Sequence, residues 1–229
     1  MDTCYDYIEM KNSISPVTRS KKQARANYNR MSRWYDWIAG SEDPYRQKGV
    51  QALDLQPAER LLEIGFGTGS CLLDFARLVG PDGWVCGIDL SDGMAAVAGE
   101  RISAAGLEGR VSLLLGDAVE LPFRDHSFDA IFTSFTLELF DTPDIPRVLQ
   151  QCARILRPGG RLAAVTLVKT DQPGFAERLY EWFHARMPVA VDCRPIWAQP
   201  AIKEAGFEIM DVISEKMWGL PLEIIMGKK

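Results

Sequence analysis

Three glycines and three carboxylates carry the clearest chemical potential in this sequence. Gly65, Gly67 and Gly69 occur in Leu61-Leu62-Glu63-Ile64-Gly65-Phe66-Gly67-Thr68-Gly69, after an apolar run and just ahead of a helical one. Glycines in that setting let the backbone turn sharply and approach a ligand closely, although a tight turn alone would also use them. The spacing is G-x-G-x-G, whereas the dinucleotide fingerprint is G-x-G-x-x-G with a helix N-terminus aimed at a pyrophosphate. Glu63, directly ahead of the turn, would repel a pyrophosphate but suits an ammonium group. No Gly-Lys-Ser/Thr follows, which excludes a P-loop. Asp89 lies 20 residues beyond Gly69, where a strand-end carboxylate can accept hydrogen bonds from two ribose hydroxyls. It could equally cap the next helix. Asp117, in Gly116-Asp117-Ala118, can reach the exocyclic amine of an adenine or serve as an ordinary turn residue. Together, three carboxylates at three successive strand ends fit a nucleoside that carries a cation.

These positions require strands alternating with helices. Arg60–Ile64, Trp84–Ile88, Val111–Leu115, Phe128–Ser134 and Arg161–Val168 read as strands, and Ser70–Val79 reads as a helix. Ser91 is placed to cap a helix running to about Ala105, and Asp117–Ser127 is a polar loop. Ile145, Val148, Leu149, Cys152, Ile155 and Leu156 recur at spacings of three and four, predicting a helix over Thr142–Leu156. Thr142 or Asp141 would cap it, with Pro143 in its first turn. A helix near Ala198–Ala205 and two strand-like runs, Glu208–Ser214 and about Pro221–Met226, close the chain. The alternation predicts an α/β fold with a doubly wound, mostly parallel sheet, and the final pair predicts an antiparallel edge hairpin. Upstream, Thr18–Ile38 reads as a helix bearing Tyr28, Trp34, Tyr35 and Trp37, and a second helix runs to about Leu55 after the turn at Gly40–Pro44. The expected organisation is an N-terminal tail with lid helices over 1–55 and one ligand-binding unit over 56–229.

Composition narrows the function classes. The 229 residues are 47% hydrophobic and 25% charged with a net charge of −5, which gives no reason to expect phosphate-driven nucleic-acid binding. The basic clusters Arg19–Arg25 and Arg154–Arg161 read as solvated helix faces. Cys4, Cys71, Cys86, Cys152 and Cys193 lack metal or redox spacing. Cys71, Cys86 and Cys152 sit in apolar runs, as buried free thiols do in a reducing cytoplasm. Met1–Pro16 has no apolar segment of the signal-peptide kind, and no run approaches a membrane span. His126 and His184 stand apart and read as solvated, so no metal site is expected.

The motifs LLEIGFGTG from Leu61, GIDLS from Gly87, GDAVELPF from Gly116, FDAIFTSFTLELF from Phe128 and LRPGGRL from Leu156 resemble those of class I methyltransferases that use S-adenosylmethionine (SAM). The resemblance covers about Gln56–Val168. It implies the seven-stranded Rossmann-like sheet of that family, with one antiparallel strand. It also implies that Gly65, Gly67 and Gly69 lie along the methionine part of SAM. Glu63 would orient that turn, Asp89 would bind the ribose, Leu90 would lie against the adenine, and Asp117 with Ala118 would meet the adenine edge. Ser134 and Phe135 would border the methyl-transfer chamber. Within the family, the chain is most similar to the C-methyltransferases of ubiquinone and menaquinone biosynthesis. One departure is Phe135-Thr136-Leu137-Glu138, where those enzymes usually carry an arginine; the glutamate reverses the charge of the substrate wall.

Methyl transfer needs positioning and exclusion of water, and a base only if the acceptor must lose a proton. By position Glu138 is the candidate base, with a carboxylate near the next helix N-terminus as its plain alternative. Tyr28 and Tyr35 are candidates to touch SAM or the acceptor. Cys193, Arg194, Trp197 and Trp218 are candidates for an acceptor pocket, with an Arg194 ion pair to Asp192 or Glu138 as the alternative. The expected partner is a small molecule or lipid precursor such as an isoprenoid quinol or phenol, with transient membrane contact. A phospholipid amine or a thiol is an alternative acceptor. A nicotinamide-dependent oxidoreductase and a non-catalytic SAM-binding regulator are the competing classes, and oligomeric state is not legible.

Overall fold

The computed structural model describes residues 14, 16–17, 20–32, 34–35, 40–186 and 193–229. Seven strands form one sheet: β1 (Arg60–Ile64), β2 (Trp84–Asp89), β3 (Val111–Leu115), β4 (Phe128–Ser134), β5 (Leu156–Leu167), β6 (Glu208–Met217) and β7 (Leu220–Lys228). The order across the sheet is β3-β2-β1-β4-β5-β7-β6. The first five strands are parallel, and β7 runs antiparallel to both β5 and β6. Strands β1, β2 and β4 carry consecutive apolar residues at their centres, Leu61-Leu62, Val85-Cys86 and Ala130–Phe132, because helices cover both faces of the sheet.

The helices among the described residues are α1 (Lys21–Met31), α2 (Asp43–Ala52), α3 (Ser70–Val79), α4 (Asp92–Ala104), α5 (Asp144–Ile155), α6 (Phe175–Arg186) and α7 (Ala198–Glu204). Residues of α2, α3 and α4 pack on one face around Leu61, Phe75 and Phe132. Helices α5 and α7 close the other face around Leu62, Ile131 and Ile225. The crossovers therefore change face at β1 and β4, where the strand order reverses. In open sheets of this kind, ligands enter the crevice beyond the carboxyl ends of the two strands at that switch point.

Several boundaries differ from those read in the sequence. Helix α1 spans 21–31 rather than 18–38, and Asp36, Trp37 and Ile38 lie outside the described residues. Gly40–Glu42 is a 3-10 turn and α2 ends at Ala52. Strand β5 starts at Leu156 instead of Arg161, because Leu156 already pairs with Phe128 across a register shift. Helix α5 begins after Pro143 without a side-chain cap; the Asp141 carbonyl instead accepts the N–H groups of Asp144 and Ile145. The C-terminal strands run longer than expected because a two-residue turn joins them. Trp218 and Gly219 both have positive φ, 54° and 83°, the geometry that matches the twist of a hairpin.

His184 is buried, contrary to the solvated reading, whereas His126 is exposed. The basic clusters are also more than solvated faces. Arg161 donates to the carbonyls of Leu53 and Asp54 and grips both oxygens of Glu59. Cys71, Cys86 and Cys152 are buried free thiols as expected; Cys4 lies outside the described residues.

Phe132 is fully buried beneath the switch point, edge-on to Phe75 with ring centroids 5.0 Å apart. Phe132→Ala is expected to lower stability by about 3–5 kcal/mol, because a cavity opens in a site closed on all sides. Urea unfolding of the variant checks this.

Candidate functional site

The carboxyl ends of β1, β2 and β4 open into a cavity of about 310 Å³. Its floor is the turn between β1 and α3. Gly65 has φ 74°, and a Cβ there would collide with the Thr136 side chain from the loop after β4. Only glycine allows that approach and that dihedral angle. Gly67, at φ 52°, directs its N–H to Asp89 Oδ2 at 2.9 Å. Asp89 Oδ1 accepts the Ser91 N–H at 2.8 Å. One carboxylate at the end of β2 thus fixes both the glycine turn and the start of α4. A carboxylate has about four lone-pair sites, so Asp89 keeps capacity for hydroxyl donors in the cavity. Burial raises its pKa above the ordinary aspartate value, while the backbone donors pull it down.

Glu63 is buried at the head of the turn and lines the same cavity. Burial lifts its pKa well above the usual carboxylate range; Arg46 opposes that shift, and Asp89 and Asp74 add to it. Its Oε2 has no hydrogen-bond partner, an orphan that native interiors rarely tolerate. An ammonium group in the cavity would satisfy it. Arg46, projecting from α2, lines the wall as well, bringing one fixed cation to the same end. A partnerless carboxyl oxygen, a cation and a second carboxylate with acceptor capacity to spare together suit an amino-acid group joined to a nucleoside.

The roof is α1. Ser20 and Gln23 form a capping box at its start. Lys21 reaches Asp117 at 2.6 Å and Asp144 at 2.9 Å, and Arg25 reaches Asp92 at 2.9 Å. Asn29 accepts from Ser91 Oγ at 2.6 Å and from the Gly93 N–H at 3.0 Å. It donates to Asp92 at 2.6 Å. These contacts bring Tyr28 and Tyr35 into the wall, their ring centroids 6.1 Å apart. The cluster Arg19–Arg25 therefore contains the cations that dock this helix. Opposite them stand Ser134, Phe135, Leu139 and Phe140. Phe135 has φ 48°, an unfavourable angle for a bulky residue of the kind often found at ligand clamps.

Leu90, Gly116 and Ala118 also line the cavity, whereas Asp117 turns to Lys21 and to the Val119 N–H. The structure moves other expected residues away from it. Glu138 lies behind the wall, fully buried, accepting from Thr166 Oγ1 at 2.9 Å and the Leu167 N–H at 3.2 Å. Arg194 is buried as well and donates to Thr142 Oγ1 and to the Phe140 carbonyl. Its proposed partner Asp192 is outside the described residues. The Cys193 carbonyl accepts the Tyr180 hydroxyl, Trp197 packs against the core, and Trp218 is exposed at the hairpin tip. Sequence reasoning missed Arg46, Lys21, Asn29 and the Leu139–Phe140 wall. Of these, only α1 left a local signal, in its Ser-x-x-Gln capping box.

Residues 61–160 match the methyltransferase-domain family, and SAM is the cofactor that this match indicates. The chain is also similar to demethylmenaquinone methyltransferases. It is 36% identical over 148 residues to demethylmenaquinone methyltransferase from Bacillus cytotoxicus, a match over 63% of this chain and 60% of that protein. Among solved structures, the 4+2 cyclase SpnF superposes with a TM-score of 0.73 at 19% identity, over 94% of this chain and 99% of the cyclase. A SAM-dependent methyltransferase from Aquifex aeolicus superposes with a TM-score of 0.58 at 22% identity, over 79% and 88%. These two likenesses establish the fold.

Burial drives Glu138 up to about 8, against its hydrogen bonds and with Glu42 adding repulsion. A carboxyl whose folded pKa is raised stabilises the fold fully below its unfolded value, and that contribution disappears as pH rises through the folded value. Wild-type stability relative to Glu138→Gln is therefore expected to fall by a few kcal/mol between about pH 4.5 and about pH 8. Denaturant unfolding of both proteins across that range checks it; a constant difference would contradict it.

Proposed function

We propose that this chain is a SAM-dependent methyltransferase acting on a small, lipid-like acceptor such as an isoprenoid quinol or phenol. The observation that carries the reading is one cavity that joins a partnerless buried Glu63 oxygen to an Asp89-braced glycine turn and an aromatic wall. Glu63 would take the ammonium of the methionine half and Arg46 its carboxylate. Asp89 would take the ribose hydroxyls, and Leu90 with Gly116 and Ala118 would flank the adenine. Bound SAM supplies an electrophilic methyl group on a sulfonium centre. The chain's own task is then to align the acceptor with that methyl group and keep water out. Tyr28, Tyr35, Phe135, Leu139 and Phe140 would form the apolar wall for a flat acceptor. Glu138 would act through this wall by holding its 3-10 turn, Leu137–Leu139, to β5.

The acceptor class also draws on the Bacillus cytotoxicus relative, whose name specifies a demethylated menaquinone. Among the described residues, no helix is long and apolar enough to cross a membrane and no metal-ligating cluster occurs. With its buried free thiols, we place the protein in the cytoplasm. The burial of Glu138, the candidate base, behind the cavity wall favours one second reading, a chain that binds SAM without transferring its methyl group.

The test is incubation with methyl-labelled SAM and a cell extract, followed by counting of organic, aqueous and macromolecular fractions. Label is expected in the organic fraction, falling about 10- to 100-fold in Asp89→Ala at subsaturating SAM as a charged acceptor is lost. Label confined to the aqueous fraction would overturn the lipid-like acceptor, and SAM binding without transfer would favour the second reading.

A further inference from the structure

We infer that the outward face of α6, together with the tip of the β6–β7 hairpin, docks on an anionic lipid surface. Helix α6 is built inside out for a water-facing helix. Its exposed residues are Phe175, Arg178, Leu179, Trp182, Phe183 and Arg186, which share one stripe at helical spacing. Phe175 is 82% exposed and Trp182 48%. Its acidic residues serve the protein interior instead. Glu177 accepts from Thr170 Oγ1 and the Gly174 N–H, and Glu181 holds Lys169.

The stripe thus presents aromatic and aliphatic groups flanked by two arginines and no carboxylate of its own helix. The Arg186 guanidinium lies over the Trp182 ring at 4.4 Å. Exposed Asp171, ahead of the helix, is the nearest acidic residue in sequence outside it. In a chain of net charge −5, this local balance is selective. Apolar burial with cations at the rim matches an interface helix against negatively charged headgroups.

Position supports the same occupant. A Cβ on Gly219 would meet Ala176 of α6 at 3.2 Å, so the hairpin tip adjoins the helix. The exposed Trp218 stands beside it. Leu167 at the end of β5 pairs with Leu222, which puts the hairpin tip at the carboxyl end of the parallel strands. Helix α6 follows β5 at that same end, and the Glu63 cavity opens there too. Docking through this surface presents the cavity-bearing edge of the molecule to the bilayer. The inference stands on the surface itself and does not depend on the acceptor assignment.

The test uses the full chain with vesicles of phosphatidylcholine alone and of phosphatidylcholine with phosphatidylglycerol. Co-sedimentation and tryptophan emission report binding, and calorimetry with SAM reports the cavity. The wild type is expected to bind the anionic vesicles with a blue-shifted emission and to release with added salt. R178Q/R186Q is expected to bind them about 30-fold more weakly, from two cations lost at the surface. Phe175→Ser with Trp182→Ser is expected to abolish binding, and every variant should keep the wild-type SAM affinity and unfolding midpoint. Failure of the wild type to bind, equal binding by R178Q/R186Q, or a dimer that buries Trp182 would overturn the proposal. Loss of SAM binding in the wild type would instead strike the methyltransferase reading and leave this one intact.

Discussion

The site depends on one carboxylate that braces two turns. Asp89 ends β2 and accepts the N–H groups of Gly67 and Ser91, so the glycine turn after β1 and the first turn of α4 are set by a single side chain. The constraint is physical: Gly67 and Ser91 belong to neighbouring crossovers, and a partly buried acceptor with two backbone donors is costly to disturb. Gly65 completes the clamp by admitting Thr136 from the loop after β4. Three strand ends are thereby locked around one cavity before any ligand arrives. Such preorganisation spares the ordering cost at the moment of binding.

The N-terminal helix is fastened differently. Its contacts to Asp92, Asp117 and Asp144 are ion pairs at partly exposed positions, individually weak and screened by salt. The floor is held by partly buried hydrogen bonds from backbone N–H groups to Asp89, while the roof is held mainly by surface charge and by Asn29. A rigid floor with a loosely fastened roof is what a cavity needs if it must admit a cofactor and then exclude water.

Much of this was legible in the sequence because it is local. The glycine spacing, Glu63, Asp89 and the Ser91 cap all sit within a few residues of a strand or helix end. What was hidden depends on distance or on inverted patterns. Lys21 meets a carboxylate 96 residues away, a pairing that no spacing rule reveals. Glu138 lies in a three-residue 3-10 turn, too short for periodicity to show which side faces inward, so its burial behind the wall escaped notice. On α6 the apolar stripe points outward and Glu177 and His184 point inward; His184 read as solvated because it stands apart from other ligand residues, and isolation in sequence carries no information about which face is buried. Strand β5 begins early because of a pairing with Phe128, which only the assembled sheet determines.

The most direct measurement is the thermal unfolding midpoint of the chain with S-adenosylhomocysteine, the demethylated product of SAM, and separately with NAD. A ligand that binds only the folded state at about 100 times its dissociation constant should raise the midpoint by roughly 5–10 °C for a chain of this size. The expected result is that shift with the SAM product, none with NAD, and loss of the shift in Asp89→Ala. A shift with NAD alone, or none with either ligand, would contradict the assignment of the Glu63–Asp89 cavity.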